Sequence, residues 1–350
     1  MTIDSRPRIA LTLGDPAGVG PELAARLLAN PENLKKASVF VLADRSELDA
    51  AAATAGVEIP LSDTPHEGFA VLLDDGTAPV EPIVPKQVSK AAGERAKHQL
   101  LRAVELVNKG EIDGIVFTPL NKASMHYAGM SEQDELRWFA KLLGFEGTTS
   151  ELNVMPGLWT SRVTSHVSVS EIAKHITIEN EVAAIKLLHT VLRESGIENP
   201  RLGVAALNPH AGESGLFGRE EIDVIAPAVA KAAESGIDVK GPFPSDTIFL
   251  ARENYDGIVT QYHDQGQIAF KLLGFEGGVT VQGGLPVTIA TPAHGTAFDI
   301  VGTGQATIAS SQNAFDIVVN TAIGRRAARS AADQVKPCCS SAVPPSEHAE

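Results

Sequence analysis

Residues 8–28 read Arg8-Ile-Ala-Leu-Thr-Leu13, Gly14-Asp-Pro-Ala-Gly-Val-Gly-Pro21 and Glu22-Leu-Ala-Ala-Arg-Leu-Leu28. A short apolar run, a glycine- and proline-rich turn and an apolar-periodic stretch make a strand, a turn and a helix. The alternation recurs downstream. Strands are expected at Val39-Phe-Val-Leu42, Gly114-Ile-Val-Phe117, Arg162-Val-Thr164, Leu202-Gly-Val-Ala-Ala-Leu207 and Gly257-Ile-Val-Thr260, with helical periodicity near residues 90–109, 178–195 and 220–235. Strands alternating with helices mean an α/β protein with a largely parallel, doubly wound sheet. Asp113-Gly-Ile-Val116 and Asp256-Gly-Ile-Val259 echo one another, in keeping with two related halves.

A chain of 350 residues exceeds the roughly 250 to 300 at which a single core stops growing, so two domains sharing a cleft fit. The expected division is 1–130 plus 298–335, 131–297, and a flexible tail at 336–350. Residues 57–90, rich in Pro, Gly and Asp, read as an excursion with short strands and no chemistry. The net charge of -14 repels phosphate backbones and anionic lipid, which argues against nucleic acid and membrane partners. No apolar run is long enough to span a bilayer and the start lacks a signal sequence, so a cytoplasmic protein is expected. Cys338 and Cys339, adjacent in a polar tail, make no disulfide framework.

Three histidines each follow a strand: His166 after Ser161-Arg-Val-Thr164, His210 in Asn208-Pro-His210, and His263 in Tyr262-His-Asp264. Open α/β sheets deliver functional side chains at strand carboxyl ends, so the three imidazoles are candidate ligands of one divalent metal. Taken singly, each reads more readily as a hydrogen-bonded side chain at a strand end. Their loops, Asn208-Pro-His-Ala-Gly-Glu213 and Tyr262-His-Asp-Gln-Gly266, have the polar, Gly/Pro-rich character of sites built on loops. Three nitrogen ligands leave coordination positions open for substrate and suit zinc, cobalt or manganese better than calcium. Asp246, Asp264 and Lys271 are candidate catalytic groups, orienting imidazoles or moving protons. The turn at Gly14, Asp15, Gly18 and Gly20, with His294 and Gly295 in Ala293-His-Gly-Thr-Ala297, is a candidate cofactor cradle. It lacks the G-x-G-x-x-G spacing, and Asp44 comes too late for a ribose-binding acid; glycines needed only for backbone geometry remain an alternative.

Gly14-Asp-Pro-Ala-Gly-Val-Gly-Pro-Glu22, Thr118-Pro-Leu-Asn-Lys122, Asn208-Pro-His-Ala-Gly-Glu213, Tyr262-His-Asp-Gln-Gly266 and His294-Gly-Thr-Ala297 together resemble the 4-hydroxythreonine-4-phosphate dehydrogenase family of vitamin B6 synthesis. The resemblance spans residues 8 to 330. It implies two doubly wound α/β domains around a cleft, like isocitrate and isopropylmalate dehydrogenases, and a homodimer. It also implies NAD or NADP, and one divalent metal (zinc, cobalt, manganese or magnesium) held by His166, His210 and His263 across the dimer interface. The implied reaction oxidises a β-hydroxy acid and then releases CO₂, with Lys271 contacting substrate.

The departures fall at the substrate positions. The family pattern Gly-His-Thr-Glu is replaced by Asp134-Glu135-Leu136-Arg137, and Thr280 and Ile289 stand where asparagine and arginine are usual. The pocket therefore keeps its metal and Lys271 but loses much of its anion recognition, as in a paralogue for another substrate: a 4-phospho four-carbon sugar acid such as threonate or erythronate, or a cyclic dihydrodiol carboxylate. Two other classes compete. A metal-dependent hydrolase would not bind NAD, and a two-lobed binding module would carry an export signal.

Overall fold

The computed structural model describes residues 5–274 and 276–335; the stretch 336–350, with Cys338 and Cys339, lies outside the described residues. Twelve strands occur among them: β1 (Arg8–Thr12), β2 (Ser38–Leu42), β3 (Leu61–Ser62), β4 (Ala70–Leu72), β5 (Gly114–Phe117), β6 (Ser150–Met155), β7 (Leu158–Arg162), β8 (Arg201–Ala205), β9 (Asp238–Phe243), β10 (Gly257–Thr260), β11 (Val279–Gly283) and β12 (Thr288–Pro292). The main helices are α1 (Gly20–Ala29), α2 (Lys90–Asn108), α3 (Glu135–Leu142), α4 (Ile178–Glu194), α5 (Ala226–Glu234), α6 (His263–Gly274) and α7 (Ala309–Val335).

All twelve strands belong to one sheet in the order β3-β4-β2-β1-β5-β12-β11-β6-β7-β10-β8-β9. The two flanks are parallel, as alternating strands and helices require, while β12-β11-β6-β7 pair antiparallel at the centre. The third expected strand begins earlier than its reading from Arg162: β7 ends there, and Val163 onward forms a turn. β12 pairs parallel with β5 and so continues the sheet of the first half into residues assigned from sequence to the second. The excursion at 57–90 contributes only the short β3 and β4.

Helix α2 shows how sequence sets the packing. The Ser89 hydroxyl caps it by accepting from the Ala92 amide, and Ala92, Ala96, Leu100, Ala103 and Val104 recur at helical spacing to make its buried face. Gln99 on that face accepts the Leu13 amide just past β1, at 2.8 Å. A buried polar side chain thus closes the strand end beside the glycine turn.

A second buried polar group lies in α4. Glu181 has no exposed surface, and neither carboxylate oxygen has a hydrogen-bond partner among the described residues. Burial pushes its carboxyl up to about 8, against a smaller opposing effect of the Gln261 amide. The folded chain therefore holds Glu181 protonated where the unfolded chain ionises it. Its contribution is fully present below the ordinary glutamate pKa and fades as pH rises towards 8. Glu181→Gln, which keeps the shape and removes the proton, should melt within error of the parent near pH 4 and several degrees higher at about pH 8.5. Calorimetry at both pH values checks this; parallel pH profiles for parent and variant would refute a protonated Glu181.

Candidate active site

Parallel β7 and β10 are neighbours, with Arg162 opposite Thr260. Beyond them, Thr164 donates from its amide and hydroxyl to the Gln261 carbonyl at 3.1 and 2.8 Å. His166 and His263 leave adjacent strands almost in register, and their rings stand 5.9 Å apart. Each has a carboxylate at Nδ1: Asp134 at 3.3 Å from His166 and Asp264 at 2.7 Å from His263. A carboxylate at Nδ1 fixes the hydrogen there and leaves the Nε2 lone pair free. The Asp134 carboxylate also accepts the Arg137 amide, so one side chain both caps α3 and orients His166. The signal for it was present in sequence: an acid directly before an apolar-periodic run.

Both histidines line a cavity of about 410 Å³ at the carboxyl ends of β5 and β12, together with Glu135, Glu151, Asn153 and Thr280. Pro119, Lys122, Gln267, His294 and Gly295 complete its rim. The floor is a buried network around Arg162, whose side chain is only 4% exposed. Its guanidinium donates to Glu151 Oε2 at 2.5 Å, Asn153 Oδ1 at 3.1 Å and Ser165 Oγ at 3.1 Å. Gln267 Nε2 donates to the same Asn153 oxygen at 2.7 Å, and Asn153 Nδ2 reaches the Thr280 hydroxyl at 3.5 Å. Burial lowers the Arg162 pKa while Glu151 and Asp134 oppose the shift. Lys122 faces the cavity with no ion pair among the described residues.

The remaining expected groups are distributed unevenly. Leu136, 6% exposed, and Ile289, fully buried, pack into the apolar cluster of Ile115, Phe117 and Phe139. Neither is among the residues that line the cavity. In α3 the face that carries Leu136 also carries Phe139, three residues on, and Ile289 occupies a β12 position covered on the core side. His210 and Asp246 lie away from the cavity, the first beside Phe217 with ring centroids 6.3 Å apart, the second exposed in the short helix Ser245–Ile248. His210 opens a run with positive φ: His210 53°, Ala211 53°, Gly212 77°, Glu213 42° and Ser214 57°. Left-handed backbone at non-glycine residues costs roughly 1–2 kcal/mol each. The buried Glu221 carboxylate holds this turn by accepting the Leu207 and Asn208 amides at 2.9 and 2.7 Å. Lys271 is exposed near the end of α6, eight residues from His263, whereas Gln267, one turn after it, faces the cavity. Among the described residues no group of three or more His, Cys, Asp or Glu is placed to hold a metal ion within one chain.

The glycine turn abuts the cavity wall. A Cβ at Gly14, whose φ is 67°, would lie 2.5 Å from the Thr118 carbonyl, and one at Gly18 would lie 2.7 Å from the Thr296 side chain. One at Gly20 would meet the Leu13 carbonyl at 2.4 Å. These glycines let the chain pack on itself, beside Thr118-Pro119 and Thr296. Asp15 accepts the Ala17 amide at 2.8 Å inside the turn, and burial raises its carboxyl pKa. A second hollow of about 350 Å³, lined by Pro16, Gly18, Val19, Lys86 and Val301, opens on the other side of the turn. The Val19 amide donates to the Thr296 carbonyl at 3.0 Å and ties the turn to the chain after Gly295.

A family model described as pyridoxal phosphate biosynthetic protein PdxA matches residues 35–318. A Pseudomonas aeruginosa protein provisionally named 4-hydroxythreonine-4-phosphate dehydrogenase 2 is 49% identical over 328 residues, covering 91% of this chain and 97% of the relative. A Symbiobacterium thermophilum protein provisionally named D-threonate 4-phosphate dehydrogenase is 35% identical over 336 residues, 93% of this chain and 100% of that one. The crystal structure of 4-hydroxythreonine-4-phosphate dehydrogenase from Klebsiella pneumoniae superposes with a TM-score of 0.77 at 33% identity, covering 91% of this chain and 98% of that chain. The chain belongs to the PdxA family and is a dehydrogenase of that type. No helix among the described residues is long and apolar enough to cross a membrane.

Arg162→Met would strand Glu151 and Asn153 in the floor. Breaking a buried ion pair costs about 3–5 kcal/mol, and replacing both charges recovers much of it. Urea unfolding should therefore show a large loss for Arg162→Met and a smaller one for Arg162→Met with Glu151→Leu. Equal midpoints for parent and single variant would mean the network does not support the cavity.

Proposed function

We propose that the cavity oxidises a small β-hydroxy acid bearing a phosphate, with NAD or NADP as acceptor and one divalent metal ion, and that the resulting β-keto acid loses CO₂. The observation that carries this reading is the pair of side-by-side imidazoles, each with Nδ1 on a carboxylate, facing a cavity that also holds an unpaired lysine. Neutral imidazole nitrogens suit zinc, cobalt or manganese and leave positions open for substrate oxygens. Such an ion would polarise the hydroxyl and then the ketone oxygen, and the nicotinamide would accept the hydride.

The chain's own residues do the rest. Lys122 holds the anionic end of the substrate, and the Arg162 network keeps Glu151 and Asn153 in place against the bound molecule. Oxidation removes a hydride from the carbinol carbon and a proton from its oxygen. Decarboxylation then breaks the bond to the carboxyl carbon, and the electron pair left on the neighbouring carbon takes up a proton. Lys271, Asp246 and Asp264 are the candidate proton-transfer groups. The glycine turn, with His294 and Gly295 on the rim, is the proposed cofactor contact; the hollow beyond Gly18 gives the rest of the dinucleotide room.

We infer that a second copy completes the site. His210, Asp246 and Lys271 are set apart from the cavity, and each has exposed apolar side chains close to it in sequence: Leu216 72%, Leu250 74%, Ile268 59% and Leu272 81% exposed. An apolar surface rimmed by polar groups is what a homodimer buries. Mixing His166→Ala and His210→Ala subunits tests it. If the ligands come from two copies, one site of each mixed dimer is intact, and the inactive parents together should recover about a quarter of parental activity. Continued inactivity of the mixture would place all the ligands within one chain.

The relatives' names point to two substrates, and Glu135 on the cavity wall favours a neighbour with hydrogen-bond donors, hydroxyl or amine, over a second anion. NADH formation by the metal-loaded protein should be measured on 4-phospho-hydroxythreonine, 4-phospho-threonate, 4-phospho-erythronate and a dihydrodiol dicarboxylate. Turnover of a 4-phospho four-carbon acid that stops with chelator is expected. Turnover of the dihydrodiol alone would overturn the phosphorylated substrate, and turnover surviving chelation would overturn the metal.

A further inference from the structure

The opposite edge of the same strands carries a second charged hollow. Arg8 opens β1, Asp113 immediately precedes β5 and Val287 immediately precedes β12, and these three residues line a cavity of about 290 Å³. The dehydrogenase cavity lies at the carboxyl ends of β5 and β12; strands of four or five residues put roughly 15 Å between the two. Along one side of this second hollow α7 presents Arg325, Arg326 and Arg329. The cations therefore come from a strand and from within a long helix, not from a helix end.

Four guanidiniums line this hollow, and two of them, from Arg8 and Arg326, meet on the Asp113 carboxylate. Asp113 accepts Arg8 Nε and Nη2 at 3.1 Å each and Arg326 Nη2 at 2.7 Å. Burial opposes ionisation of Asp113, but these bonds and charges outweigh it and hold its pKa below the ordinary carboxylate value. Arg325 bonds Glu194 of α4 through Nε at 2.9 Å and the Leu285 carbonyl through Nη2 at 3.1 Å, and its Nη1 has no acceptor among the described residues. Arg329 is exposed and has no ion pair among them. Four cations against Asp113 and Glu194 leave two positive charges uncompensated, in a chain whose net charge is -14.

A fixed fork of donors is what distinguishes arginine from lysine as a receptor for planar or tetrahedral oxyanions. Three of the four forks are held in place by Asp113, Glu194 and backbone carbonyls, with Arg326 Nη1 on the Ser5 and Arg6 carbonyls at 2.8 and 2.9 Å. Preorganised donors lose little freedom on binding. We propose that this hollow binds the phosphate groups of a small phosphorylated molecule, at a site separate from the dehydrogenase cavity and joining α7 to the amino ends of β1 and β5.

Titration calorimetry of the full chain with inorganic pyrophosphate tests it. Arg329→Glu reverses the exposed, unpaired charge without touching the Asp113 or Glu194 contacts, and should weaken pyrophosphate at least tenfold, with kcat/KM for the dehydrogenase substrate unchanged. Lys231→Glu, a charge reversal at an exposed position of α5, controls for the general field and should leave affinity as in the parent. Metal chelation by pyrophosphate contributes equally to parent and variants. The proposal fails if the parent gives no saturable heat, if Arg329→Glu binds as the parent does, or if Lys231→Glu weakens binding as much. It also fails if Lys122→Ala, at the other cavity, abolishes binding while Arg329→Glu does not.

Discussion

The cavity rests on one buried guanidinium. Arg162 ends β7 inside the sheet, and water is replaced around it by Glu151, Asn153 and Ser165. A charge taken out of water must be almost fully paired, or burial costs several kcal/mol. That requirement fixes the geometry of the neighbours: Glu151 and Asn153 are alternate residues of β6 and share a face, and Asn153 then presents its oxygen to Gln267 of α6. A helix beginning at His263 is thus tied, four residues on, to the same floor that precedes His166 by four. The two imidazoles are held together by a network that neither belongs to.

Much of the fold was legible because parallel strands buried on both faces read as continuous apolar runs. Ile9 to Leu11, Val39 to Leu42, Ile115 to Phe117 and Ile258 to Val259 are all such runs, and each is a buried strand. The antiparallel centre was not legible in the same way. β6 carries Glu151 and Asn153 in its interior and β11 carries Thr280 and Gln282, so their polar residues, placed there for the cavity, mask the strand pattern. Strand β7 was misread at its end for a related reason: Arg162 looked like the polar start of a strand and is instead the buried end of one.

The candidate site divides along the same line. His166 and His263 were singled out from their strand-end loops, and the register of β7 on β10 brings the two side by side. Lys122 was quoted only as part of a motif, and Asp134 only as a departure from a pattern; the acid's double engagement with the α3 amide and His166 appears only in three dimensions. Leu136 and Ile289 show the converse. Position in a family pattern suggested contact with substrate, but an aliphatic side chain gains roughly 1.5–3 kcal/mol by leaving water, and both turn to the apolar cluster. What stands on the wall in their vicinity is Glu135, whose carboxylate has no such alternative.

The strained turn at His210 follows from the same competition between local cost and wider gain. Left-handed backbone at His210, Ala211, Glu213 and Ser214 is unfavourable in isolation and persists only where the surroundings over-determine it. Glu221 supplies part of that constraint through the Leu207 and Asn208 amides, and the Asn208 side chain adds bonds to Glu220 and Glu221 at 2.6 and 3.0 Å. Those contacts fix where the turn begins but leave Leu216 and Phe217 exposed at its far end. The turn displays a histidine beside two exposed apolar side chains, the features from which a second copy is proposed to complete the site. The assembly proposed for the dehydrogenase site is the arrangement in which that strain and that apolar surface have one common cause.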